Sequence, residues 1–252
     1  MQNISFFKGA IDAGGCVSNA WNLVKENYWP YFGGCLVAYL IITCVPCLNF
    51  FMAGPIMGGI YFLFLRGMQG EPVDFSMAFK GFEKFVPLMV VGLIQFLPNI
   101  IFTVLQYSID FSQVILQNSG NGNASADAIV GALGIVSLIL VFVSFIFSIA
   151  WWISFWFVVP IVMENDIDVT DAIKLSIKAG WSNFGGLLLL AIISGLLGIL
   201  GVVALCIGLL FVMPIIYGAS AFAYRQVFPL ADQPFHQDIP PTPDAYGTFG
   251  RL

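Results

Sequence analysis

The side chains in this sequence that could do chemistry fall into three small groups. Cys44 and Cys47 form a C-x-x-C. In an oxidising compartment such a pair can exchange disulfides, and Cys206 is expected at a similar depth. Reactive pairs, however, draw thiolate character from a helix N-terminus or a nearby cation. This pair falls at the C-terminal end of an apolar run with no Lys or Arg close by, so small apolar packing residues are the simpler reading. Gln95, Asn99, Thr103 and Gln106 follow one another at spacings of 4, 4 and 3, and Asp110 continues the stripe. One face of a helix is therefore polar. It either bonds to a neighbouring helix, the simpler account, or lines a polar cavity. Glu164, Asp166, Asp168 and Asp171 form the third group. They lack the glycine and distal glutamate of an EF-hand loop, so helix capping and solubility explain them better than calcium.

What is missing narrows the chemistry further. The single histidine, His236, lies in a proline-rich tail, which leaves neither a histidine-based zinc site nor a Ser-His-Asp arrangement. There is no phosphate-binding loop and no dinucleotide fingerprint. No Asp, Glu, Lys, Arg or His falls inside the apolar part of any expected helix. Ion- and proton-coupled carriers usually keep such residues despite their cost. The chain is therefore expected to be no enzyme, to need no cofactor and to hold no metal.

The elements that position these groups are membrane helices. Of 252 residues, 59% are hydrophobic and 9% charged, with a mean hydropathy of +0.92; soluble domains carry about 25% charged residues. The net charge of −5 argues against nucleic acid, which selects a basic face. The apolar runs are continuous rather than alternating, which favours helices over a barrel. Met1 to Val17 carries Lys8 and Asp12 and lacks an unbroken apolar core, so no cleavable signal is expected.

One stretch is written twice. Trp29-Pro30-Tyr31-Phe32-Gly33-Gly34-Cys35-Leu36 returns as Trp181-Ser182-Asn183-Phe184-Gly185-Gly186-Leu187-Leu188. Each copy opens an apolar run that is followed by a second run containing Pro-Ile-x-x-Gly and ending in Arg. These are Pro55, Gly59 and Arg66, then Pro214, Gly218 and Arg225, with 11 positions from Pro to Arg in both. A lead-in repeats as well: Asp74-Phe75-Ser76-Met77-Ala78-Phe79-Lys80 with Lys84, and Asp168-Val169-Thr170-Asp171-Ala172-Ile173-Lys174 with Lys178. An Asp in that place caps a helix start. Residues 4–29 show helical apolar spacing too, with Asp12, Asn19, Asn22, Lys25 and Glu26 opposite. This helix is expected in the headgroup region with its aromatic face inward.

The expected architecture is all-α. Six spanning helices at about 31–46, 49–66, 86–107, 128–163, 184–201 and 203–224 make three hairpins, each preceded by an amphipathic interfacial helix. The membrane domain covers 1–228, and 229–252 is a proline-rich, disordered cytoplasmic tail. Gly54 and Gly58 form a small-x-x-x-small pair, Ser194, Gly198 and Gly201 a small packing face, and Pro98 can kink its helix. Residues 118–127 read as a flexible polar loop. Residues 128–163, about 54 Å as one helix, hold either one long crossing or two short ones. With one crossing all 9 Lys and Arg fall on one side, which the positive-inside rule favours, and both termini are then cytoplasmic. Trp151, Trp152, Phe155, Trp156 and Phe157 suit the inner interface belt.

This pattern resembles a loose group of bacterial polytopic membrane proteins. It is also similar to the membrane domain preceding some bacterial glycerophosphodiester phosphodiesterases. The resemblance rests on Trp21-Asn22-Leu23-Val24-Lys25-Glu26-Asn27-Tyr28-Trp29, Gly54-Pro55-Ile56-Met57-Gly58-Gly59, Gly70-Glu71-Pro72-Val73-Asp74-Phe75 leading to Phe85-Val86-Pro87-Leu88, and Asp171-Ala172-Ile173-Lys174-Leu175-Ser176. It implies a bacterial inner-membrane location and supplies no catalytic residues. The chain departs from it in ending with a short tail where those enzymes continue, and in lacking a Pro-Gly break in the third-to-fourth helix region. The expected function is a non-enzymatic scaffold or accessory subunit, with the bilayer and a protein partner or second copy as its contacts. The alternative is a passive channel or carrier for a lipid or other apolar solute.

Overall fold

A computed structural model describes residues 4–44, 46–119, 124–203 and 207–229, with side chains described for 4–41, 51–118, 128–203 and 208–229. Residues 230–252 of the expected tail, Cys206 and the side chains of Cys44 and Cys47 lie outside the described residues. The described chain is all-helical, without a strand: α1 (Ala13–Glu26), α2 (Tyr28–Cys44), α3 (Pro46–Met68), a 3₁₀ segment (Phe75–Lys84), α4 (Phe85–Ser119), α5 (Ala124–Phe155), α6 (Val158–Glu164), α7 (Val169–Ser182), α8 (Phe184–Val203) and α9 (Ile207–Val227). Five of these, α3, α4, α5, α8 and α9, are long and apolar enough to cross a membrane. With 17 residues, α2 reaches about 25 Å, short of the roughly 30 Å of hydrocarbon.

Helices α2, α4 and α8 pack on α3, α5 and α9 respectively, and the amphipathic segments are distributed over these pairs by one rule. The 3₁₀ segment docks on α2 and α3, α7 on α4, α5 and α6, and α1 on α8 and α9. Each lead-in thus covers the pair before it in sequence, and the first covers the last. Small residues make this docking possible. On α1 the buried face is Ala13, Cys16, Ala20 and Val24, while Trp21 is 50% exposed. The expected aromatic inward face is therefore replaced by a small-residue face, because α9 approaches too closely for anything larger: a Cβ on Gly218 would lie 3.0 Å from that of Ala20.

The second lead-in is not an α-helix. Residues three apart stack in 3₁₀ geometry. This turns Ala78 and Gly81 into one buried edge and piles Phe79, Phe82 and Phe85 into a ladder with ring centroids 6.3 and 6.2 Å apart. The expected caps form in both copies: Asp74 accepts from the Ser76 amide at 2.8 Å and Asp168 from the Thr170 amide at 3.1 Å. Hydrogen bonds from the Ser76 and Thr170 side chains, and then from these amides, hold both carboxyls below the usual carboxylate range.

The repeated stretches sit in matching environments. Trp29 and Trp181 are 75% and 51% exposed, while Tyr31 and Asn183 are buried at 1% and 3%. Trp181 and Trp29 thus stand on the outside at the start of their apolar helices, where an interface aromatic belongs. In each Gly-Gly pair the second glycine is the tight one. A Cβ would meet Leu63 at 2.9 Å on Gly34 and Ile11 at 2.6 Å on Gly186, but only ordinary contact on Gly33 and nothing within 4 Å on Gly185. Pro55, Gly59, Pro214 and Gly218 are all buried. Gly54 and Gly58 behave as expected, bringing α3 against α4 so closely that a Cβ on Gly54 would lie 1.9 Å from the Leu88 carbonyl oxygen. Of the third packing face, Ser194 and Gly201 are buried but Gly198 has open space around it.

Residues 128–155 form one unbroken helix, so they do not turn back. The helix ends at Phe155, the chain turns at Trp156 and Phe157, and α6 follows. Expecting a single helix to 163 missed this break. It is stabilised from a distance: the Ser176 hydroxyl on α7 donates to the Ser154 carbonyl at 2.8 Å and accepts from the Phe157 amide at 3.2 Å. Two backbone groups orphaned by the break are thereby satisfied. The neighbouring helices are longer than expected, α4 continuing to Ser119 and α5 starting at Ala124. Residues 124–127 are thus helical rather than part of a loop.

The chain before α1 is tied down by polar side chains from the other end of the sequence. Asn183 accepts from the Ala10 amide at 3.0 Å and donates to the Phe7 carbonyl at 3.0 Å. Gln226 accepts from the Asp12 amide at 2.8 Å and from Cys16 Sγ at 3.3 Å. Burial, with Asp12 beside it, pushes the Cys16 thiol up to about 12. Since the thiolate is the nucleophile, Cys16 is expected to resist maleimide at pH 8 in the folded protein and to react fully after denaturation, as read by peptide mass spectrometry.

Candidate intramembrane cleft

The polar stripe of α4 divides. Gln95 and Asn99 line a cleft of about 510 Å³ bounded by α3, α4, α5 and α6, together with Ser148 and Trp151. Its apolar walls include Met57, Phe96, Phe145 and Val159, and Gly54 and Gly92 mark where α3 and α4 cross at its floor. Thr103 is exposed and does not reach the cleft. Gln106 donates from Nε2 to Ser137 Oγ on α5 and, at 3.0 Å, to Asp110 Oδ1. Gln106 thus bonds to the neighbouring helix, whereas Gln95 and Asn99 line a cavity.

Helix geometry sets the depth. Gln95 and Asn99 lie about 15 and 21 Å along α4 from its start at Phe85, within an apolar stretch long enough to cross a membrane. Pro98 between them has no N–H to offer Ile94, so a backbone carbonyl loses its helical donor at this level. Trp151 Nε1 on α5 is buried without a hydrogen-bond partner among the described residues, as are four other buried polar atoms, Trp156 Nε1 among them. A buried unpaired donor is costly, and uncommon enough to require a reason. Asn99 is exposed and Trp152 is 45% exposed, so the cleft opens on the surface of the α4–α5 pair.

The aromatic cluster expected at the interface is placed differently. Phe155, Trp156 and Phe157 are buried at 4%, 7% and 0% exposure. The break after Phe155 folds them into the core, and Trp151 turns to the cleft. The signal available in the sequence was the density of indoles in an otherwise featureless run, since a tryptophan N–H in hydrocarbon needs an acceptor.

The remaining candidates are engaged elsewhere. Each acid of the third group has a partner. Glu164 accepts from Tyr224 Oη at 2.8 Å and from both Arg225 nitrogens, Nη1 at 2.9 Å and Nη2 at 2.5 Å. Asp166 pairs with Lys84 at 2.7 Å, and Asp171 with Lys174 at 3.2 Å, while Asp168 is a cap. The Lys84 hydrogen bond and charge hold the Asp166 carboxyl below its ordinary range. Lys84 also donates to the Val162 and Asn165 carbonyls at 3.1 and 3.2 Å, capping the end of α6 as a cation does best. Arg66, the repeat counterpart of Arg225, pairs locally with Glu71 at 2.6 Å.

Among the described residues no ionisable side chain lines the cleft, so it offers hydrogen bonds and apolar contact rather than proton transfer. Comparison with protein-family models, with curated proteins and with solved structures finds no match.

Proposed function

We propose that this chain is a bacterial inner-membrane protein that binds a neutral amphiphile in the cleft, as a lipid-binding or lipid-carrying protein rather than a catalyst. The observation that carries the reading is the gathering of Gln95, Asn99, Ser148 and Trp151 inside apolar walls. Cavities of about 300–1,000 Å³ with a few placed polar groups are the usual form of small-molecule sites. The absence of a charge at the cleft fits an uncharged ligand, and the exposed Asn99 and Trp152 give it an entrance from the bilayer.

In this reading α2 completes six crossings arranged as three hairpins, with both termini cytoplasmic. Arg66 and Glu164 border one small cavity of about 150 Å³, Glu164 holds Arg225, and Asp166 holds Lys84. The cationic ends of three different pairs thus meet on one side, as the positive-inside rule requires of a cytoplasmic face.

Native mass spectrometry of protein extracted in polymer nanodiscs tests the proposal. A neutral lipid retained at about one per chain, and depleted when Gln95→Leu and Asn99→Leu are combined, is the expected result. A stoichiometric protein partner with no lipid enrichment would replace it with the accessory-subunit reading.

A further inference from the structure

Resting on that reading, we infer that the cleft takes a neutral lipid with a free hydroxyl, held between Gln95 on α4 and Ser148 on α5. The pairing of the two helices carries this. They run antiparallel, since Gln106 donates to Ser137 while Phe102, earlier on α4, meets Phe147, later on α5, with ring centroids 5.5 Å apart. Gln95 lies 11 residues before Gln106, and Ser148 lies 11 residues after Ser137. That step is about three turns and about 16 Å in an α-helix, so both side chains return to the same face at the same level. Gln95 and Ser148 are therefore a second Gln–Ser rung. The first rung is joined by a direct hydrogen bond, whereas the second lines the cleft from two walls and is not joined.

The polar atoms of this second rung are unpaired and reachable. Neither Gln95 nor Ser148 has a hydrogen bond among the described residues, and none of their polar atoms is enclosed, unlike Oε1 of Gln106. Ser148 differs from its neighbours. Ser108, Ser112, Ser144 and Ser154 each donate to a carbonyl three or four positions earlier on their own helix, all at 2.8 Å. That back-bonding hides a hydroxyl in apolar surroundings, and Ser148 leaves its own for the cleft. The acceptors then set the ligand class. Gln95 Oε1, Asn99 Oδ1 and the Ile94 carbonyl that Pro98 deprives of its donor are costly to leave unmet between apolar walls. An ether or an ester has no donor to give them. A hydroxyl donates to one of these oxygens and accepts from the Gln95 amide or the Ser148 hydroxyl, so it bridges the rung that the protein leaves open.

The test uses the full chain in nanodiscs loaded separately with dioleoylglycerol and with its methyl ether, in which a methyl group replaces the hydroxyl hydrogen. Retained lipid is counted by native mass spectrometry for the wild type, Gln95→Leu, Ser148→Ala and Ser144→Ala. The wild type is expected to retain the alcohol and to hold the ether about five- to tenfold less well, and Gln95→Leu and Ser148→Ala are each expected to lower alcohol retention by a similar factor while leaving the ether unchanged. Ser144→Ala is expected to match the wild type, because its hydroxyl bonds to the Val141 carbonyl and does not line the cleft. Retention of the ether equal to that of the alcohol overturns the hydroxyl inference and leaves lipid binding standing. A preference for the alcohol that survives both Gln95→Leu and Ser148→Ala overturns the assignment to this rung. The wild-type ratio of alcohol to ether needs no variant, so it decides the ligand class even where a substitution prevents folding. Retention of neither probe by the wild type overturns the lipid-binding reading itself.

Discussion

Gly59→Val is expected to abolish recovery of folded protein, and Gly81→Val to do the same. A Cβ on Gly59 would lie 1.7 Å from the Ala78 carbonyl oxygen, and one on Gly81 would lie 1.8 Å from the Pro55 oxygen and 2.5 Å from the Gly59 amide nitrogen. The obstructing atoms are backbone, so no rotamer change relieves them; α3 and the 3₁₀ segment must separate. That separation exposes the edge made by Ala78 and Gly81 and strips the cover from Ile56, Ile60 and Leu63, which are at most 3% exposed. The loss should exceed about 4 kcal/mol, the range reserved for severe core disruption. Gly185→Ala is the matched control. It has nothing within 4 Å, and trading glycine for alanine in a helix is worth about 0.5–1 kcal/mol of added stability. Size-exclusion profiles and thermal melts in one detergent compare the variants. A monodisperse Gly59→Val protein melting within a few degrees of wild type would mean that the α3–3₁₀ crossing is not as close as described.

Gly59 was legible from the sequence, standing in the repeated Pro-Ile-x-x-Gly, whereas Gly81, which it meets, was not. The repeat was legible because it is written in residues whose size or shape is itself the structural requirement: Gly34 and Gly186 where a neighbour crowds the helix, Asp74 and Asp168 where a helix start needs an acceptor. The break at Trp156 and Phe157 had one local signal that the expected single helix passed over, Pro160, whose missing N–H leaves the Trp156 carbonyl without its helical donor. What makes the break tolerable was not legible: it is Ser176, more than 15 positions away in sequence and brought near by docking of α7. Nor could spacing alone divide the stripe on α4. Gln95 and Gln106 lie on one helical face, and what separates them is the partner opposite, a cleft in one case and Ser137 in the other. Local chemistry was visible in the sequence, whereas the partner assigned to each polar group was a property of the fold.

The second large effect is expected at Glu164 and Arg225, the only ion pair among the described residues with both side chains mostly covered, at 24% and 12% exposure. Arg225 meets the carboxylate with two nitrogens, and Tyr224 Oη adds a third hydrogen bond. Such charge-assisted, bidentate contacts are the strong kind. Removing one partner of a fully buried pair costs about 3–5 kcal/mol because the other charge is left without compensation; with partial exposure, about 2 kcal/mol is expected here for Arg225→Met. The double variant Glu164→Gln, Arg225→Met should be less destabilised than the sum of the singles, because it leaves no unpaired charge. Asp171→Asn, whose pair is 46% and 75% exposed, should change stability by less than about 0.5 kcal/mol. Titration with a denaturing detergent, followed by tryptophan fluorescence, gives all four values, and additive single effects would show that the two groups do not act as a pair. The consequence reaches the cleft. At seven residues, α6 is too short to hold its own shape. It is kept in place by Ser176 at the preceding break, by Lys84 on its last carbonyls and by Tyr224 and Arg225 of α9, which hold its Glu164. Val159 of this helix forms part of the cleft wall, so releasing Glu164 frees one wall of the site. Arg225→Met is therefore expected to reduce lipid retention as well as stability, although Arg225 does not line the cleft.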